Sequence, residues 1–374
     1  MIRILHIARY ATVPVERRVM LMAAEPDLAF HLLRPRPTGG PFDAAGVRDP
    51  ARLCGVRTVR VWRPQDPHRA LYATLGFGAR EARPDLIHAE EEPDSLAALH
   101  VAMARRALAP GARLVLHTWQ NVNRRKRPWV AAVLRRTLAA ADAVVCGNGG
   151  AVALLRRFGY ARPAPLIPTL ALDPSIFSRR PVARLHDAFT VAFVGRLAPE
   201  KGVDVLVRAV ARLGMPARLV VAGTGPCRDE LAAQARSEGL AEAVQFVGAR
   251  DPAGVAALLS AVDVLVLPSR STPVWQEQFG RVLVEAMGCG TPVVASRSGA
   301  IPEVVGEAAL LFPEDDAEAL AAHLRRLRDS GALRADLGAR GRAWALTEHG
   351  LARRATQTAC FYRRLIGQPA GGGR

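Results

Sequence analysis

The sequence predicts an α/β protein of two domains. Three observations carry that expectation. At 374 residues the chain is too long for one average domain and suits two. Half of its residues are hydrophobic, enough for two cores. Short apolar runs alternate with amphipathic stretches, most clearly in the second half, and this is the strand–helix alternation of a parallel sheet.

In chain order, residues 2–8, IRILHIA, read as a first strand. Arg3, His6 and Arg9 interrupt this apolar stretch, which argues against a signal peptide. The following RYATVPVERRV contains Pro14 and no glycine and is expected to be a loop, with Arg9, Arg17 and Arg18 as surface arginines. Residues 31–56, rich in Pro, Gly and Arg, are expected to hold little regular structure. RTVRVW at 57–62 is a candidate strand, and Leu86–His88 another. Pro93-Asp94-Ser95 then opens a helix to about Ala107. Glu90, Glu91 and Glu92 stand at the strand's C-terminal end, the side on which open α/β sheets bind ligands. They are expected to form a solvated loop.

RLVLHTWQNVN at 113–123 supplies a buried strand with His117 at its C-terminal end, followed by Trp119, Gln120 and Asn121. Arg124, Arg125, Lys126 and Arg127 beside Trp129 lead into an apolar helical face, the pattern of a membrane-surface element. A calmodulin-type or nucleic-acid patch has the same pattern. ADAVVCGN is a strand with a turn and GGAVALLRRFG a helix. Residues 173–188, with prolines, charges and no periodicity, are expected to be a linker.

FTVAFVG opens the second half as a buried strand, and VDVLVRAVARL is an amphipathic helix; Arg196 and Lys201 lie in the turn between them. ARLVVAGTGP ends in a Gly-Thr-Gly turn but lacks the rest of a dinucleotide fingerprint, which discounts NAD. VQFVG, VDVLVLPS and TPVVAS are further strands. Before TPVVAS comes a short helix from about Gly280 to Met287, with Gly288 and Gly290 expected to end it. Its start offers backbone N–H groups beside Glu277. Helix starts favour anions such as phosphate, and carboxylates suit sugar or ribose hydroxyls. Phosphate and hydroxyls side by side describe a nucleotide-sugar. The last helices are expected at 316–330 and about 348–366, with a disordered tail, GQPAGGGR.

Composition sets further bounds. No apolar run reaches the 18 or so residues of a membrane span. Five scattered cysteines with no C-x-x-C argue for reduced thiols in a cytosolic protein. Residues 1–180 hold 28 Arg and Lys against 14 Asp and Glu, a net of +14. A half that basic suggests an anionic partner or a solvated basic face.

Glu277 and Glu285 enclose seven residues, within EQFGRVLVEAMGCGTPVVAS and SGAIPEVV, and GRLAPEKG stands at 195–202. These stretches resemble glycosyltransferase family 4, retaining enzymes of the GT-B fold. The resemblance implies two doubly wound, Rossmann-like domains facing each other across a cleft: 1–172 on the acceptor side, a linker at 173–188, and 189–349 for the donor. A last helix, about 350–366, would pack back on the first domain. It further implies that Arg196 and Lys201 neutralise the donor diphosphate, with backbone amides at Phe279 and Gly280. Glu277 would bind sugar hydroxyls, Glu285 the ribose diol, and Arg250 would sit beside the base. His117 would lie near the anomeric carbon, making His117 and Glu277 the catalytic candidates. The family works without a metal or cofactor, and no Asp-x-Asp motif is present. The implied partners are a nucleotide-sugar donor and a saccharide, lipid-linked or small-molecule hydroxyl acceptor. The implied location is the cytoplasm, with peripheral contact at the inner face of the plasma membrane through the basic domain; no nucleic acid is expected. The family's usual glycine-rich loop after the first strand is missing. A sugar-nucleotide epimerase and a basic nucleic-acid-binding protein are the alternatives.

Overall fold

The computed structural model describes residues 1–9, 13–36, 53–64, 66, 68–75, 80–180, 185–213 and 217–367. Two compact units form, Met1–Leu170 with Leu351–Arg374, and Ala171–Gly350.

The first unit is built on a parallel sheet of β1 (Ile2–Ile7), β2 (Leu28–Pro35), β3 (Gly55–Val59), β6 (Leu86–Ala89), β7 (Arg113–Thr118) and β8 (Ala143–Cys146). Their order is β3-β2-β1-β6-β7-β8. A two-stranded antiparallel ribbon, β4 (Val61–Trp62) and β5 (Leu71–Tyr72), stands apart from it. The helices are α1 (Val13–Ala23), α2 (Leu96–Leu108), α3 (Pro128–Ala140) and α4 (Gly149–Arg157). Side chains alternate across a strand, so one strand feeds two cores. Ile2 and Ile4 join Val19 and Met22 of α1 on one face. Leu5 and Ile7 join Ala97, Ala98 and Val101 of α2 on the other. The sheet is therefore covered on both faces.

The second unit repeats the plan. Its strands are β9 (Phe189–Val194), β10 (Ala217–Ala222), β11 (Val244–Gly248), β12 (Val264–Leu267), β13 (Val293–Ser296) and β14 (Leu310–Phe312), in the order β11-β10-β9-β12-β13-β14. Its helices are α5 (Val203–Leu213), α6 (Arg228–Ser237), α7 (Pro252–Ala261), α8 (Arg281–Cys289), α9 (Ile301–Val305), α10 (Ala317–Asp329) and α11 (Gly331–His349). The chain then returns to the first unit as α12 (Leu351–Ile366). There Tyr362 Oη lies 2.5 Å from His88 Nδ1, and Arg363 forks onto Asp27 at 2.6 and 2.8 Å. In both sheets the strand order reverses beside the first strand, at β1/β6 and at β9/β12. Ligands of doubly wound sheets bind at such points, outside the C-terminal strand ends. No helix among the described residues is long and apolar enough to cross a membrane.

The structure corrects several sequence expectations. Residues 13–23 form a helix, not a loop: Pro14 falls in the first turn, where its missing N–H costs nothing. Residues 28–35 form a strand, since Leu28, Phe30, Leu32 and Leu33 fill the core ahead of the prolines; 37–52 lie outside the described residues. Gly288 sits inside α8, where an added Cβ would lie 2.6 Å from Leu172, and Gly290 alone caps the helix at φ 76°. Helix α11 has no sequence counterpart, because Gly331, Gly338 and Gly341 blur its pattern. Gly338 packs there against the Gly290 carbonyl. In the expected linker, Phe177 is buried and Ile176 N donates to Asp173 O at 3.1 Å; residues 181–184 and the tail from 368 lie outside the described residues.

Candidate active site

At the β9/β12 reversal of the second unit, the chain leaves β9 through Gly195 and Arg196 and makes one 3₁₀ turn, Pro199–Lys201. Gly202 closes that turn at φ 64°, and a Cβ there would sit 2.0 Å from the Pro268 carbonyl oxygen. Only glycine lets this turn lie so close to the end of β12. Lys201 is thereby brought to Glu277: its Nζ donates to Glu277 Oε2 at 2.6 Å. Ser269 Oγ, just beyond β12, donates to the same oxygen at 2.9 Å. The Trp275 ring lies under the Lys201 ammonium, 4.7 Å from Nζ to the ring centroid. Glu277 is buried, and its backbone is gripped from behind, where Ala300 N donates to Glu277 O at 2.9 Å.

Phe279 and Gly280 lead from Glu277 into α8. Phe279 is buried edge-on to His349, with ring centroids 5.5 Å apart, and Gly280 caps the helix at φ 74°. Glu285, one turn inside α8, is buried and 3.0 Å from Arg281 Nε. Burial raises its carboxyl and Arg281 opposes the rise. Arg196 is largely exposed and pairs with Glu200 of its own turn. Arg270 braces the wall, its backbone N donating to Glu200 O at 2.9 Å and its guanidinium reaching Asp204 at 2.7 Å and Asp315 at 2.8 Å. Arg250 is exposed just past β11, while Arg228 covers the Phe246 ring of that strand at 5.4 Å. The geometry thus joins Lys201 to Glu277 directly. Arg196 and Glu285 each hold a neighbour four residues away in sequence. Ser269 and Trp275 were not singled out from sequence; their only signal is their closeness to Glu277 in the chain.

In the first unit, His117 lies at the C-terminal end of β7, one residue before Thr118, and is buried. Burial pushes its imidazole down to about 4, and among the described residues its Nε2 has no hydrogen-bond partner. The acidic trio is not solvated: Arg18 and Arg9 turn inward to meet it. Arg18, itself buried, bonds Glu90 and donates to Thr169 O at 2.5 Å. Burial would raise the Glu90 carboxyl, but Arg18 and His6 hold it well below the usual range. Glu91 takes Tyr72 Oη at 2.6 Å and Arg9 Nη1 at 3.3 Å. Glu92 accepts from Thr118 Oγ1 at 2.6 Å and Trp119 N at 2.8 Å. Lys126 also turns inward, onto Asp94 at 2.5 Å, so it leaves the expected basic surface cluster.

Burial pushes Glu92 up to about 7, against those two hydrogen bonds. The folded state therefore binds more protons than the unfolded between the ordinary carboxylate range and pH 7. Its stability falls as pH rises through that window. Glu92→Gln removes the titration, and the Thr118 hydroxyl can turn to accept from the amide. The variant is expected to gain stability over the parent from pH 5 to pH 8.5, by on the order of 2–3 kcal/mol. Denaturant melts of both proteins at each pH check this. His117 has the opposite slope but is common to both, so it cancels; a pH-independent difference would refute the assignment.

The family model for glycosyl transferases group 1 matches residues 176–344, and that for a glycosyl transferase 4-like domain matches residues 15–169. The chain is 32% identical over 271 residues to the 2-deoxystreptamine glucosyltransferase of Streptomyces kanamyceticus, covering 68% of each chain. It is 37% identical over 194 residues to the D-inositol 3-phosphate glycosyltransferase of Actinosynnema mirum, covering 46% of this chain and 45% of that one. Sucrose-phosphate synthase from Thermosynechococcus elongatus has a TM-score of 0.72 at 23% identity, over 97% of this chain and 99% of that one. Anabaena HepE, solved in complex with UDP-glucose, has a TM-score of 0.71 at 20% identity, over 96% and 99%. At these identities the two structures speak to the fold.

Proposed function

The chain belongs to the group 1 glycosyl transferases and has their GT-B fold; on that premise we propose that it moves a sugar from a nucleotide-sugar to a hydroxyl acceptor with retention of anomeric configuration. The observation that carries the donor class is the Lys201–Glu277 pair, a cation and an anion 2.6 Å apart at the β9/β12 reversal. A diphosphate beside sugar hydroxyls is the complementary pattern. HepE was solved with UDP-glucose, which supports this class. The names of the two relatives support a hydroxyl acceptor.

In this reading, Lys201 and Arg196 meet the charge that builds on the departing diphosphate. Fixed cations there are worth more in the transition state than in the ground state. The amides of Phe279 and Gly280 add donors. Glu277 takes sugar hydroxyls, Glu285 the ribose diol, and Arg250 lies on the base side. His117, held neutral by burial, offers its Nε2 to a sugar hydroxyl. The departing phosphate accepts the acceptor's proton on the front face, so no metal takes part.

Thermal shift with UDP-, GDP- and ADP-sugars tests the donor class. The right donor at 100 times its Kd should stabilise the fold by about 2.7 kcal/mol. If no nucleotide-sugar raises Tm, the reading fails. Turnover in EDTA should equal turnover without it, and NMR of the product should show the donor's anomeric configuration.

A further inference from the structure

The first unit holds an open pocket of about 350 Å³ lined by Trp62, Arg63, Arg69, Leu71, Leu96 and Trp129. That is within the size range of small-molecule sites. Its place in the fold is the C-terminal edge of the sheet. Tyr72 ties the β4–β5 ribbon to Glu91 after β6, and Arg9 Nη2, after β1, donates to Pro64 O at 3.1 Å. Leu96 N, at the start of α2, donates to His68 O at 2.8 Å. Trp129 stands in the first turn of α3, after the β7 loop.

The lining has two chemistries. Trp62, Trp129, Leu71 and Leu96 give apolar walls, and Trp62 is 54% exposed, unusual for so large an apolar ring. Arg69 and Arg63 give positive charge. The Arg69 guanidinium lies 5.7 Å from the Trp129 ring centroid. Arg63 is held at φ 51°, a left-handed conformation that non-glycine residues rarely adopt. No carboxylate lines the pocket, and among the described residues neither guanidinium has one within ion-pair distance. The nearest acid in the chain, Asp66, accepts from the backbone N–H groups of His68 and Arg69 at 3.0 Å each, and these bonds, with a weaker pull from the Arg69 charge, lower its carboxyl.

From the two indoles and the two arginines with no carboxylate within ion-pair distance, we propose that this pocket binds an alkyl phosphate, the chemistry of a lipid-linked acceptor: the chain against Trp62, Trp129 and the leucines, the phosphate on Arg63 and Arg69. Naming the ligand an acceptor rests on the glycosyltransferase reading; the binding itself does not. An indole face and a guanidinium act together here because each compensates for what the other excludes. The apolar walls reject free phosphate, and the arginines favour the anion over a neutral glycolipid.

The test is titration of the full chain with decyl phosphate below its micelle concentration, followed by calorimetry. Saturable one-to-one binding is expected. Trp62→Ala and Arg69→Gln should each weaken it about tenfold, and Arg63→Gln by a similar factor. Inorganic phosphate and decyl glucoside should each bind at least about tenfold more weakly. All three substituted side chains are exposed, and a melt of each variant confirms folding. Absence of decyl phosphate binding, or binding that the variants leave unchanged, overturns the proposal. Binding only to anionic phosphatidylglycerol vesicles overturns it too and assigns the patch to a membrane surface. The donor-induced thermal shift, measured on Trp62→Ala, should stay intact, so a failure here is separable from a failure of the donor reading.

Discussion

Replacing Lys201 with Met is expected to cut turnover by about 10²–10³-fold, the cost of removing one fixed group that stabilises charge in the transition state. The same change should abolish the donor-induced thermal shift. It also has a structural cost, because Glu277 is buried and loses its cation. Breaking a fully buried pair costs about 3–5 kcal/mol; Lys201 keeps some access to solvent, so about 1–3 kcal/mol is expected. The two effects come apart in a double variant. Lys201→Met with Glu277→Gln leaves no buried charge at this point, and Ser269 Oγ can still donate to the amide oxygen. Denaturant melts of the double variant should return close to the parent. Its turnover should stay at the floor, because neither the Lys201 cation nor the Glu277 anion is restored. If turnover recovers along with stability, Lys201 is a structural residue and the donor site lies elsewhere.

How much of this was legible in the sequence follows from how local each feature is. Lys201 and Glu277 were identifiable because each sits in a short stretch of fixed form, GRLAPEKG and EQFG. Their contact spans 76 residues and no local pattern reports it. Strands β9, β10, β12 and β13 of the second unit were legible because they are buried on both faces and so are almost continuously apolar. The first unit hid more. Pro14 looked like a helix breaker because a proline's meaning depends on whether it falls in the first turn or later. Glu90, Glu91 and Glu92 looked solvated because an acidic run usually is. What buries them is Arg9 and Arg18, over 70 residues away, together with Tyr72 and Thr118. The pocket beside Trp62 was half visible: Trp129 stood out within a basic run, but its partner wall comes from a ribbon that no periodicity announces.

Gly299→Ala should be among the most damaging small substitutions in the second unit. Gly299 follows β13 with φ 52°, and a Cβ there would stand 2.2 Å from the Glu277 carbonyl oxygen and 2.9 Å from its nitrogen. Both atoms are backbone, so no side-chain rotation relieves the contact. The left-handed conformation alone costs an L-residue about 1–2 kcal/mol. Gly239→Ala measures that part by itself, since Gly239 has φ 73° and nothing within 4 Å of the added carbon. The excess in Gly299→Ala over Gly239→Ala is then the price of pushing the strand-end turn off Glu277. A total of about 3 kcal/mol or more is expected, or a Tm lower by about 6–12 °C for a unit of this size. The displacement falls on the residue that pairs with Lys201, so donor affinity should drop as well, whereas Gly239→Ala should leave it unchanged. Equal losses of stability and equal donor affinity in the two variants would mean that the turn behind Glu277 yields freely, and that the Lys201–Glu277 geometry is not held from behind.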